Sequence, residues 1–467
     1  MKLLKYILLL NLLWMTSCTK LDENPDAFIS PVNFYKTKND ALAAITAVYS
    51  PVRLNGFIAR NYVILGEITT DNMFPLSISA PRIELDNYVH TSQNGILRET
   101  WDNFYIGITR ANASINKIPA ISMEEQLKTR LVAEAKFLRA FYYFHLVRLF
   151  GDLPIVTSEV SSLDQLTFPK RDPKAEVYKQ IIADLKDAET ILPVAYSAGD
   201  RGRATSGAAK AFLASVYLTL KNYQLAVDKA NEVINLAGAG YGLWDTYGEV
   251  YDIKNEFGKE AIFDAQFMSG SGGQGGNLIA FFAQENNSVA GRGFGSFQPT
   301  PEVYDSYTAN DKRKAVFFTK GTDNKYYVNK WIDSDAVTEN QSDNNFPLMR
   351  FAEVVLTYAE AYNEVNSPVN DNPAYKAVNS IRQRAGLTPL QNLSQNDLRD
   401  AILQERRLEL AFEGRRWFDL VRTGKLVSTL SAKGTVNIKE YHNLFPIPQF
   451  HIGVNPNLAP QNPGYTQ

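Results

Sequence analysis

Two neighbouring stretches, 206–220 and 223–236, restrict the choice of fold more than any other part of this chain. Each repeats apolar residues every three or four positions, the period of an amphipathic helix, and a tight turn joins them. Ala211, Ala214, Tyr217, Tyr223, Ala226, Ala230 and Val233 place small residues where the two helices must approach closely, a spacing that resembles a tetratricopeptide unit. The same period recurs elsewhere. It spans 36–54, with Ala41, Ala44, Ile45 and Val48, and 96–118. Leu131, Ala135, Leu138, Tyr142 and Leu146 form a wide stripe that Gly151 stops, with Pro154 after it. Val177, Ile181, Leu185, Ala188 and Leu192 follow Asp172, read as an N-cap, and Pro173, read as a preset first turn. Further helices are expected over 350–365, 375–384 and 398–413, the last opened by Ser394 with Asp397 in the capping position. The expected class is mainly α, with tetratricopeptide-like helix pairs forming a scaffold.

From 238 to 347 the pattern changes to glycine, asparagine and short β-prone runs, at Ala261–Phe267 and Lys325–Ile332. This reads as a loop-rich ligand lobe with a few small strands. The tail, 443–467, is rich in proline and asparagine and is expected to lie extended over the surface. The expected organisation is one domain over 36–467, with its scaffold in about 36–237 and 348–425.

Ahead of it stands a basic start at Lys2 and Lys5, an apolar run to Met15, and Thr16-Ser17-Cys18. That run is too short to span a bilayer and reads as a signal peptide over 1–17. Its ending is similar to a bacterial lipoprotein box, which would leave an acylated Cys18 leading a tether over 18–35. Cys18 is the only cysteine, so no intramolecular disulfide can form. The net charge of −2 offers no basic excess to neutralise phosphates, so nucleic acid is not an expected partner.

Catalytic motifs are missing. Gly270, Gly272 and Gly275 satisfy G-x-G-x-x-G, but Glu285 comes too soon for the ribose acid and no parallel-strand alternation follows, so a glycine loop is expected. Glu405, Glu409 and Glu413 recur every four residues among Arg406, Arg407, Arg415 and Arg416, the pattern of a structural ion-pair ladder along one helix. His90, His145, His442 and His451 have no metal-ligand spacing, and no cofactor is expected. Trp101 and Trp417 read as core, whereas Trp244 and Trp331 sit in the loop-rich middle. Binding residues are expected on loops carried by the scaffold. Two stretches qualify: one with Asp71, Asn72, Arg82, Tyr88 and Asn94, the other with Asn286, Arg292, Phe294 and Phe297. If neither binds, Trp244 and Trp331 are next.

Several longer segments carry a family resemblance. The run Ala133–Pro154 (AEAKFLRAFYYFHLVRLFGDLP) resembles the signature helix of the SusD/RagB lipoproteins, and Leu348–Glu364 (LMRFAEVVLTYAEAYNE) is similar to their late helix. Glu405–Leu420 (ERRLELAFEGRRWFDL) resembles another helix, and Leu444–Gln449, Asn455–Asn457 and Gln461–Tyr465 resemble their ending. The resemblance implies an outer-membrane, lipid-anchored protein facing the exterior. It would bind oligosaccharides and pass them to a SusC-like, TonB-dependent transporter over which it sits as a lid. The same architecture could capture peptides or glycoprotein fragments; a surface hydrolase is opposed by the missing catalytic set, and a plain scaffold by the long loops. If Cys18 carries the anchor, Cys18→Ala releases the protein from outer membranes and abolishes fatty-acid labelling, because no other anchor is expected; fractionation with labelled fatty acid checks this.

Overall fold

A computed structural model of the chain describes residues 34–58, 60–76, 79–159, 168–270, 275–285, 293–336, 342–367 and 369–466. Cys18 and all but the end of the tether lie outside them.

Helix α1 (Lys38–Tyr49) opens on a capping box, in which Thr37 takes the Asp40 N–H and the Asp40 carboxylate takes the Thr37 N–H. It leads to α2 (Gly95–Lys117), α3 (Glu125–Phe150), α4 (Lys174–Ile191), α5 (Ser206–Thr219) and α6 (Tyr223–Ile234). From α2 to α6 each helix packs on the next. The following long helix, α7 (Phe351–Val365), packs against α6 although the whole lobe lies between them in sequence. Helices α8 (Pro373–Arg384) and α9 (Gln395–Glu409) then lie against α7. The helical stack therefore continues past the lobe, which is an insertion between two adjoining layers.

The spacing that predicts these helices is their buried face. Ala211, Ala214, Ala226, Ala230 and Val233 are all buried, and such short side chains let α5 and α6 approach. Helix α3 is buried on every side from Leu131 onward except at a few positions, because α2 covers one flank and α4 the other. Its buried Arg139 is matched: it gives two bonds to Asp184 of α4, at 2.8 and 2.7 Å, and one to Asn112 of α2, at 2.8 Å. Trp101 and Trp417 are core residues, as expected.

Three expectations need correction. Asp172 does not cap α4. Its carboxylate accepts from the Ile155 N–H, Pro173 takes the cap position, and Asp152 accepts the Lys174 N–H instead. The glutamates of α9 do not pair with the arginines beside them in sequence; their partners come from other elements and are described below. The tail is not a surface layer. It carries a short helix at Gln449–Val454, and Phe445 and Ile447 are fully buried. Phe445 stacks on Trp417 at 5.0 Å, and the Asn462 side chain donates to the carbonyls of Phe150 and Phe445. Asparagine and glutamine side chains supply hydrogen bonds that a proline-rich backbone cannot make for itself.

The lobe is tied by short antiparallel pairs: β1 (Met73–Pro75) with β3 (Phe297–Pro299), β2 (Ala261–Ala265) with β6 (Phe346–Arg350), and β4 (Phe318–Lys320) with β5 (Tyr326–Val328). The strand ahead of Gly270 is thus antiparallel, so no βαβ unit forms there. Gly270 has a left-handed φ of 107°, suited to a loop, and Gly272 lies outside the described residues.

The α2–α3 crossing depends on a missing side chain. A Cβ at Gly107 would lie 2.3 Å from the Tyr142 ring, whose hydroxyl also donates to the Val48 carbonyl of α1. Gly107→Ala is therefore expected to cost about 1–3 kcal/mol through overpacking, against roughly 1 kcal/mol of gained helix propensity. Thermal unfolding checks the sign: the midpoint should fall.

Candidate ligand-binding site

The two stretches singled out from the sequence meet in space. In the β1–β3 ladder Met73 faces Pro299, Phe74 faces Gln298 and Pro75 faces Phe297. The pairing extends through Leu76 N–H to Ser296 O and Thr300 N–H to Asn72 O, both at 2.9 Å. Thr300 then caps a short helix, Pro301–Asp305, with Pro301 in its first turn. That helix delivers Tyr304, and β5, which lies beside β3, delivers Tyr326. The two tyrosine rings stack with centroids 3.7 Å apart. Together they wall a groove of about 640 Å³. Phe74, Leu76 and Pro299 add apolar surface, while Gln298, Asp305 and Lys325 add polar groups. Flat apolar faces among a few hydrogen-bonding groups are what a sugar ring needs, since its C–H face stacks and its hydroxyls bond. A second aromatic ledge adjoins β3. The Arg82 guanidinium lies over Phe281 and Phe297 at 5.1 and 5.2 Å, and Phe294 edges Phe281 with 42% of its surface exposed.

Of the residues named from the sequence, Arg82 and Phe294 are accessible here. Phe297 is fully buried beneath them and supports the ledge. Four others hold internal positions. Asp71 pairs with Arg407 at 2.9 Å and Arg416 at 2.8 Å; burial alone would raise its pKa, but these guanidiniums outweigh it and lower it. Asn72 binds Glu67 and Arg407. Tyr88 donates to the Thr69 carbonyl, and Asn94 caps α2. These are corrections in role: each side chain is buried against partners within the chain, so the loops reach the groove while these residues face inward. Trp331 is also buried, stacked between Phe282 and Phe346. Trp244 is half-buried under Lys259, 4.8 Å away. Asn286 and Arg292 lie outside the described residues. The sequence reading did not single out Tyr304 and Tyr326. Tyr326 belongs to the β-prone run Lys325–Ile332, whose alternation carries a signal for it, whereas Tyr304 lies outside that run in the short helix Pro301–Asp305.

A family model described as "SusD family" matches residues 315–465, and one described as "Starch-binding associating with outer membrane" matches 21–218. SusD-like protein P2 of Formosa agariphila is 32% identical, with the alignment covering 100% of both chains. The chain belongs to the SusD family. A second protein of that organism, SusD-like protein P25, is 29% identical over 95% of each chain. Among solved structures, one titled as a laminarin binding SusD-like protein superposes with a TM-score of 0.82 at 28% identity, covering 92% of this chain and 100% of the other. Two relatives of this SusD-family chain carry a binding description, the laminarin binding SusD-like protein and, at 24% identity over 79% of each chain, the Starch-binding protein SusD of Bacteroides thetaiotaomicron.

In this SusD-family fold the lobe and scaffold are fastened by a buried ion network centred on the end of α9. Glu409 receives Arg350 and Arg384 at 2.7 Å each and the Tyr247 hydroxyl at 2.7 Å. Glu413 receives Arg350 at 2.8 Å, Lys330 at 2.7 Å and the Tyr251 hydroxyl at 2.9 Å. Glu405 receives Arg313 at 2.6 Å, and Glu260 bridges Arg350 and Arg384. The arginines adjacent in sequence turn elsewhere: Arg406 to Asp419, Arg415 to Glu353, and Arg407 and Arg416 to Asp71. Intrahelical pairing loses because the glutamate face is fully buried, so its charges need partners that are buried with it.

Two opposing sets of carboxyls set the pH response. Burial alone would raise Glu413, but Arg350 and Lys330 bring it down to about 2 from 4.5. Asp419 is likewise brought to about 2 by Arg406 and Arg422 against burial. Such depressed acids contribute stability that is full above about 4.5 and lost as pH falls toward 2. Glu67 is pushed up to about 7, by burial first, and Glu256 also to about 7, by burial and then by nearby Asp343 and Asp333. Raised acids contribute most below 4.5 and lose it as pH rises through 7. The unfolding temperature is therefore expected to rise as pH falls from 8 to about 5 and to drop steeply below about 4.5. A calorimetric midpoint that stays flat down to pH 3 would contradict this.

Proposed function

We propose that this chain is an outer-membrane lipoprotein, anchored through acylated Cys18 and facing the exterior. It binds oligosaccharides and hands them to a SusC-like, TonB-dependent transporter. The observation that carries the binding half is the aromatic groove: stacked Tyr304 and Tyr326, with Phe74 and Leu76, beside Gln298, Asp305 and Lys325. Binding there is by stacking and hydroxyl contacts and needs no proton transfer, in keeping with the absence of any catalytic motif from the sequence. Arg82 and Phe294 extend the surface next to it, and Asn286 and Arg292, a few positions before Phe294 in sequence, are further ligand contacts in this reading. Trp244 is a secondary candidate. The laminarin-binding relative makes laminarin oligosaccharides the first ligand to test.

Removing one ring of the tyrosine pair takes away half a stacking platform without opening the core, since Tyr304 and Tyr326 are only partly buried. Tyr304→Ala and Tyr326→Ala should each weaken laminarihexaose binding by about 1 kcal/mol or more, roughly fivefold or greater, with an unchanged circular dichroism spectrum. Titration calorimetry reads the result. Full-strength binding by the double variant would rule out this groove.

A further inference from the structure

A second cleft lies where β2 crosses the end of α1. One compartment, of about 320 Å³, is lined by Tyr49, Ser50 and Arg53 after α1, by the loop 199–203 and by Gln266 just beyond β2. An adjoining compartment, of about 240 Å³, is lined by Tyr196, Tyr241 and Phe257, and the two share Arg201, Gly202, Arg203, Phe263 and Asp264. The dividing loop lies against the Gln266 side chain just beyond β2: a Cβ at Gly202, which has a φ of 87°, would overlap its carboxamide.

The charges around this cleft do not cancel. Arg203 is matched by Glu134 at 3.1 Å and Asp200 at 2.8 Å, and Arg130 leans on the same two acids at 3.5 Å. Arg53 and Arg201 have no ion pair and no side-chain hydrogen bond among the described residues. The remaining acid, Asp264, does not offset them. Burial first, then Glu256 and Glu413, push its carboxyl up to about 8, so near neutrality it is mostly a hydrogen-bond donor. Its Oδ1 atom and the Tyr196 hydroxyl are buried without a hydrogen-bond partner among the described residues. Two unpaired guanidiniums at a recess with unsatisfied polar atoms call for an anion carried on a polar body.

We propose that this cleft binds an acidic saccharide unit, with its ring beside Tyr196 and Tyr241 and its carboxylate or sulfate ester between Arg53 and Arg201. Guanidinium groups match planar and tetrahedral oxyanions with paired, charge-assisted hydrogen bonds, and tyrosine faces suit the ring. Each compartment is near the lower bound of a small-ligand pocket, so the two together fit one or two sugar units. The inference takes from the proposed function only that the ligand is a saccharide, and the cleft shares no lining residue with the aromatic groove.

The test is calorimetry on the full chain in detergent with five probes: trigalacturonate, its methyl ester, a sulfated galactan tetrasaccharide, its desulfated form, and inorganic sulfate. The expected result is that at least one acidic oligosaccharide binds tenfold or more tightly than its neutral counterpart. Which pair shows the preference separates a carboxylate from a sulfate ester. Arg53→Gln/Arg201→Gln should abolish that preference, and Arg201→Gln alone should reduce it, with the circular dichroism spectrum unchanged. Equal binding of acidic and neutral forms, survival of the preference in the double variant, or equally tight binding of inorganic sulfate would each overturn the proposal. Absence of the preference in the unaltered chain, with laminarihexaose binding intact, counts against this cleft alone.

Discussion

Arg350 sits where the lobe returns to the scaffold, and its guanidinium bonds to Glu260, Glu409 and Glu413 at once. The residue ends β6 and immediately precedes α7, so one side chain fixes both the strand pairing of the lobe and the entry into the late helices. Burying such charges is expensive, by several kcal/mol per ion, and the arrangement is tolerable only because almost every oxygen and nitrogen of the group is matched. The benefit is definition of geometry more than net stability. A long insertion between α6 and α7 could settle in many ways on an apolar surface, but a multi-armed ion network accepts few of them.

The same region of chain reaches the groove. Arg407 and Arg416 grip Asp71, and Glu67 accepts the N–H groups of Gly414 and Arg415, so the segment leading into β1 is held by the end of α9 and the segment following it. Gly66 and Gly414 are in direct backbone contact at that junction; a Cβ on Gly66 would lie 2.4 Å from the Gly414 carbonyl oxygen. The ladder from β1 to β3 then passes this fixed position on to Tyr304 and Tyr326. The groove is built from loops, yet it inherits the rigidity of a buried electrostatic clamp, which limits the conformational cost of ordering it around a ligand.

How far the sequence could be read depends on the range of the interaction. Periodicity located the buried faces of α1, α3, α4, α5 and α6, because which side of a helix is apolar is a local property. It placed Trp101 and Trp417 in the core and identified Glu405, Glu409 and Glu413 as structural. It also brought forward the two loops that β1 and β3 join. It misassigned the individual side chains on them, since Asp71, Asn72, Tyr88 and Asn94 are types that serve equally as ligand contacts and as internal ties. Only their partners distinguish the two uses.

The helix pairs and the family were legible in the sequence alone, because both follow from apolar spacing, small residues at close contacts and segments of recognisable order. The tertiary structure decided which arginine meets which glutamate, why the tail is sealed by Asn462 and Phe445 instead of lying on the surface, and which aromatics are left open to ligand. Those outcomes depend on residues such as Glu413 and Lys330, or Tyr304 and Tyr326, that are far enough apart in sequence that only the folded chain brings their charges and rings into contact.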